Sequence, residues 1–110
     1  MPGRPAPVTL LILSLLIFGC GDSTTRASLE SLAQQPSAYE GRRVVTEGVV
    51  RTFAKPRHYW IEDEDLNRVA IEPDHLVSPY LGQVVTVTGR FSASLTSPRT
   101  IEAETVALKQ

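Results

Sequence analysis

The strongest constraint on what this chain can fold into is a frame of residues that it uses twice. Ser37, Tyr39, Gly41, Val44 and Gly48 recur 41 residues later as Ser78, Tyr80, Gly82, Val85 and Gly89, giving S-x-Y-x-G-x-x-V-x-x-x-G in both places. Each copy leads from a turn into a segment whose apolar residues stand at every second position, the period of a strand with one buried face. The first glycine suits a left-handed residue that turns the chain into the strand, and the second suits a bulge or bend part-way along it. Long bent strands can serve two sides of one sheet, as a small closed barrel requires. Two copies are too few for a solenoid.

Period-2 alternation extends the pattern to five predicted strands: Arg43–Phe53, Arg57–Asp63, Arg68–Glu72, Gln83–Ala93 and Thr100–Leu108. Between the third and fourth, Pro73–Tyr80 reads as an irregular helical turn. Alternation places Val44, Thr46, Val50, Tyr59, Ile61, Val69, Ile71, Val85, Val87, Phe91 and Ile101 inside, with Leu76 and Tyr80 plugging one end. In the last strand Ile101 and Ala103 are out of phase with Val106 and Leu108, so burying both pairs requires a bulge near Glu104. Before the strands, Ser28 is placed to cap a short helix carrying Leu29, Leu32 and Ala33 at i, i+3 and i+4, with Glu30 in its first turn and Pro36 after it. So short a helix is unstable alone and must lie against the main body.

The first residues have a different character. Arg4 precedes an apolar stretch, Val8–Phe18, interrupted only by Thr9 and Ser14, which reads as an export signal. The stretch is too short to span a hydrocarbon layer of ~30 Å comfortably as a permanent helix. Ile17, Phe18 and Gly19 before Cys20 resemble the bacterial lipobox. The resemblance implies a signal peptide over 1–19, a lipid on Cys20 as the mature N-terminus, and membrane attachment through that lipid. Gly21 and Asp22 imply, by analogy with the family, an address in the bacterial envelope at the outer membrane, facing the periplasm. Residues 20–27, polar and rich in Ser and Thr, read as a flexible lipidated tether, leaving 28–110 as one domain. As Cys20 is the chain's one cysteine, no disulfide forms within it.

From about Ala38 to Leu108 the sequence resembles an OB-fold, an all-β five-stranded Greek-key barrel with a minor helix between strands three and four. The resemblance rests on the Gly48 bend, on Tyr59-x-Ile61-x-Asp63 and on the Gly82–Phe91 strand, and it looks like the OB domains of envelope proteins related in fold to anticodon-binding modules. A β-sandwich or an SH3-type barrel is the structural alternative.

In the OB-fold the ligand face is formed by the outer sides of strands two and three. Here those sides carry His58, Trp60 and Glu62 with Arg68, Ala70 and Glu72. Trp60 beside Arg51, Arg57 and Arg68 has the chemistry to stack a base, a sugar or a peptide side chain. The competing and favoured reading packs Trp60 beneath the N-terminal helix, around Leu29 and Leu32. A formal net charge of −1 gives no overall basic footprint for nucleic acid, so a protein or glycan partner is expected ahead of single-stranded nucleic acid.

Other constellations are weaker. Asp63-x-Asp65-x-Asn67 with Asp74 faintly resembles a helical calcium loop, but Arg68 stands where the turn-making glycine belongs and 68–72 reads as strand, so a solvated hairpin turn explains it better. Pro73-Asp74-His75-Leu76 and the Gly82 strand resemble the periplasmic haem chaperones, which hold haem through a His in a tail beyond the last strand. Only Lys109 and Gln110 follow Leu108, so haem carriage is not expected. His58 and His75 are the only imidazoles, no G-x-S-x-G or S-x-x-K motif occurs, and neither an enzyme nor a resident cofactor or metal is expected.

Overall fold

The computed structural model describes residues 23–110; Cys20 and the signal segment 1–19 lie outside the described residues. The chain is mostly β with minor helix, in the order β1 (Thr25–Arg26), α1 (Leu29–Gln34), α2 (Pro36–Tyr39), β2 (Arg43–Ala54), β3 (Arg57–Glu62), β4 (Arg68–Glu72), β5 (Val84–Ser92) and β6 (Thr100–Leu108). Two 3-10 turns, Asp74–Leu76 and Ser78–Tyr80, join β4 to β5. The strands form one sheet in the order β1-β2-β3-β4-β6-β5, and a further β2–β5 pairing closes the five long strands into a ring. The ring is not a regular barrel. β4 meets β3 over three residue pairs and meets β6, in parallel, over three more, so one wall is thin.

β2 shows why the repeated frame is needed. Arg43–Val49 pairs with β5, and Val49–Ala54 pairs with β3, so one strand borders two neighbours in succession. Gly48 lies at that changeover. A Cβ there would stand 2.8 Å from Leu29 Cδ1 and 3.0 Å from Ile61 Cβ, so the glycine lets α1 and β3 approach the strand. Its counterpart Gly89 is tighter still, because a Cβ there would run into the carbonyl oxygen of Glu102. Beside Gly89 the β5–β6 register steps from Thr88↔Thr105 to Gly89↔Ala103, leaving Glu104 as the extra residue of a bulge, as the phase of β6 requires. Gly41 and Gly82 take φ of +77° and +85°, the left-handed conformation expected of them.

All eleven residues assigned inward by alternation are buried. Leu76 and Tyr80 pack half-buried against the core, and Val77, between the two 3-10 turns, is fully buried beside them. Two finer expectations are corrected. Leu108 is exposed, because β6 pairs only with β5 beyond the bulge and no second layer covers its end. The folded body also begins at Thr24 rather than Ser28. Thr25–Arg26 adds to β2 as a parallel strand, Arg42 and Arg43 donate to the hydroxyls of Thr25 and Thr24 at 3.1 and 2.7 Å, and Ala27 is buried.

Helix α1 forms where the cap predicts it: the Ser28 hydroxyl accepts from the Ser31 N–H at 3.0 Å. Leu29 and Leu32 are buried against β2 and β4, each contributing about 1.5–3 kcal/mol of apolar transfer. The helix ends at Gln34, and Pro36 starts α2 at a position where its missing N–H costs nothing.

Candidate functional site

Alternation in β3 turns Tyr59 and Ile61 inward and leaves His58, Trp60 and Glu62 on the outer side. Registers with the neighbours set Arg51 opposite Trp60 and Phe53 opposite His58 on β2, and Arg68 opposite Glu62 and Ala70 opposite Trp60 on β4. Phe53, His58 and Trp60 therefore form a continuous aromatic row, with centroids 6.0 Å apart for the first pair and 5.2 Å for the second. Phe53 is 56% exposed, an unusual position for a ring that packs nothing above it.

The row is held by a polar cluster. The Trp60 indole N–H donates to Glu62 Oε1 at 2.9 Å, and Glu62 also pairs with Arg51 at 3.3 Å and Arg68 at 3.1 Å. The guanidinium of Arg68 lies over the Trp60 ring at 5.0 Å. The Trp60 hydrogen bond lowers the Glu62 pKa below the ordinary carboxylate value, burial opposes it, and the arginines add to the lowering. The His58 Nδ1 lies 2.8 Å from the Pro56 carbonyl, which makes that nitrogen the N–H and orients the ring.

A cleft of about 260 Å³ opens beside this row, lined by His58, Trp60, Arg68, Ala70, Pro98 and Arg99. Arg99 enters from the end of the β5–β6 loop, where its carbonyl accepts from the Ala70 N–H at 2.9 Å and its side chain donates twice to the Arg68 carbonyl, at 3.2 and 3.1 Å.

Of the residues singled out in the sequence, Trp60, Arg51 and Arg68 come together here. Arg57 does not: it shares the phase of Tyr59 and stands exposed at the start of β3, opposite Ala54. The expectation that Trp60 packs under the N-terminal helix is overturned. Leu29 and Leu32 find their partners on β2 and β4 instead, and Trp60 stays half-buried outside the apolar cluster that contains them. Arg99 and Phe53 were not foreseen. Arg99 reaches the site only through the parallel β4–β6 pairing, Ala70↔Thr100, which no local pattern encodes.

The acidic turn resolves as a hairpin. Asp63 Oδ1 accepts the N–H groups of Asp65 and Asn67, and Oδ2 accepts the Asn67 side chain, all at 2.9 Å. Burial raises its pKa, but these hydrogen bonds outweigh that and hold it below the ordinary value. The carboxylate is thus engaged by its own turn, and among the described residues no three of His, Cys, Asp and Glu gather as a metal-holding group. A separate cleft of about 450 Å³ between β4, β6 and the β5–β6 loop is lined by Glu40, Glu72 and Glu102 with serines and Thr100; it offers no aromatic surface. No helix among the described residues is long and apolar enough to cross a membrane. No known family model matches the chain, and no curated protein matches it.

Proposed function

We propose that this chain is a lipid-anchored, non-catalytic binding or accessory module of the bacterial envelope, built on an OB-fold and tethered through Cys20. Strand order supports the fold reading: β5 returns to lie beside β2, giving the 4-1-2-3 arrangement of a Greek key, with β6 filling the gap between β4 and β5. The observation that carries the functional reading is the outward-facing Phe53–His58–Trp60 row beside a cleft that joins Trp60, Ala70 and Pro98 to Arg68 and Arg99, on the face such barrels use for ligands. A fold of this kind hosts oligonucleotide, oligosaccharide and protein partners alike, so the site and not the fold supports a protein or glycan ligand.

Single-stranded nucleic acid is the second reading, favoured by one observation: Arg51, Arg68 and Arg99 stand against one carboxylate, Glu62, around a stacking residue. Binding of single-stranded DNA that weakens steeply with salt would favour it.

The test compares wild type and Trp60→Ala as bait in envelope extracts. Partners recovered by wild type and lost from the variant, at an unchanged thermal midpoint, support the reading; identical recovery overturns it. Cys20→Ser is expected to lose acylation while still folding, and acylation surviving in that variant would contradict the anchor.

A further inference from the structure

We infer that the cleft beside Trp60 receives an acidic stretch of a partner polypeptide, held through Arg99 and laid along the open edge of β3. This rests on the binding-module reading above and names the ligand class of that site.

Charge is the first argument. Glu62 serves Arg51 and Arg68 together, whereas Arg99 contacts only a carbonyl oxygen; among the described residues no carboxylate pairs with it. Its Nε and one terminal nitrogen are committed to the Arg68 carbonyl, which fixes the guanidinium plane, while Nη1 keeps its donors. Arg99 is half-buried among Trp60, Ala70 and Pro98. A fixed guanidinium between apolar walls forms a stronger charge-assisted bond to a carboxylate than one in open water does. One such cation suits a discrete carboxylate. A phosphate chain presents its charges in regular succession and asks for several free cations in a line.

Backbone supplies the second argument, and it selects polypeptide over glycan. β3 pairs with β2 along Arg57–Glu62 but with β4 only along Trp60–Glu62. On the β4 side, Arg57–Tyr59 therefore extends beyond the paired register. An open strand edge accepts another extended chain through main-chain hydrogen bonds, while alternate side chains enter the neighbouring surface. This edge is contiguous with the cleft, since the His58 side chain lines the cleft while Arg57 and Tyr59 flank His58 along the strand. An added chain can pair with β3, send one side chain toward Trp60 and Pro98, and bring an acidic one to Arg99. A saccharide has no use for the edge.

Trp60 is the chain's single tryptophan, so its fluorescence reports occupancy directly. The full chain in detergent micelles is titrated with a short peptide alternating Val and Glu. Saturable, salt-sensitive change in Trp60 emission is expected. Affinity should fall at least about tenfold, the equivalent of ~1.4 kcal/mol, for Arg99→Gln and for the matching Val-Gln peptide, with Arg99→Lys between. Thermal midpoints of the variants verify that they fold. Equal binding of the Val-Gln peptide, or wild-type affinity in Arg99→Gln, overturns the inference. So does preferential binding of an oligouronate or of oligo-dT, which would leave the binding-module reading standing with a different ligand. Silence from all three probes also overturns it; the broader reading fails only if Trp60→Ala recovers the same envelope partners as wild type.

Discussion

The indole N–H of Trp60 donates to Glu62 Oε1 at 2.9 Å from two residues away on the same face of β3. That bond ties the aromatic row to the ion pairs with Arg51 and Arg68 and keeps Glu62 ionised to lower pH than an ordinary glutamate. A carboxyl whose folded pKa lies below its unfolded value of about 4.3 stabilises the fold above that value and loses the contribution as pH falls through the lower one. Thermal midpoints are therefore expected to decline below about pH 4, less steeply in Glu62→Gln. Parallel pH profiles of the two proteins would contradict this assignment.

Gly89 and Gly48 differ in how much an added methyl group can be absorbed. At Gly48 the nearest obstacle is the end of the Leu29 side chain, whereas at Gly89 it is the backbone of Glu102 and Ala103. Gly48→Ala is expected to cost about 1–3 kcal/mol, as overpacking of a tight core does. Gly89→Ala should cost more and disturb the bulge. Urea melts would reveal the ranking, and its reversal would show the β5–β6 approach to be looser than described.

Leu32 is fully buried in a helix of only six residues. Leu32→Ala should cost about 2–5 kcal/mol through the cavity left behind. Ser28→Ala, which removes the cap, should cost only ~1 kcal/mol. Comparable losses in denaturant unfolding would mean that capping rather than packing holds α1.

At the β3–β4 turn, Asp63 accepts three hydrogen bonds from Asp65 and Asn67. Asp63→Ala is expected to destabilise by about 1–3 kcal/mol. Millimolar calcium should leave the wild-type midpoint where it is, because the carboxylate is already occupied by the turn. A rise in midpoint with calcium would refute that.

Thr46 is buried with its hydroxyl unpartnered among the described residues. Removing an unsatisfied buried polar group while keeping the branched shape should be neutral or stabilising, so Thr46→Val is expected to gain up to ~1 kcal/mol. Calorimetry showing a clear loss would point to an ordered water bound by the hydroxyl.

How far the sequence anticipates this structure depends on whether an element is encoded locally. Five strands and a capped helix were legible because alternation and Ser28 act over neighbouring residues, and the extra residue at Glu104 was legible because the phase of β6 breaks there. β1 was not, being two polar residues whose strand character comes from Val44 and Val45. A short helix needs an apolar partner, which points to Trp60, but Gly48, offering no side chain, admits Leu29 and supplies that contact instead. Arg99 depended on a parallel pairing between segments far apart in the chain.

Attachment of Thr24–Arg26 to β2 changes what the proposed anchor implies. Three residues lie between Cys20 and Thr24, so over these four residue steps the link reaches at most about 14 Å. β2 leaves that point at Arg43 and carries Phe53 and the mouth of the cleft to its opposite end. On the proposed anchoring, a domain leashed this closely would be a fixed fitting on the membrane rather than a hook cast into the periplasm, and whatever it recognises would have to come within one domain's height of the bilayer.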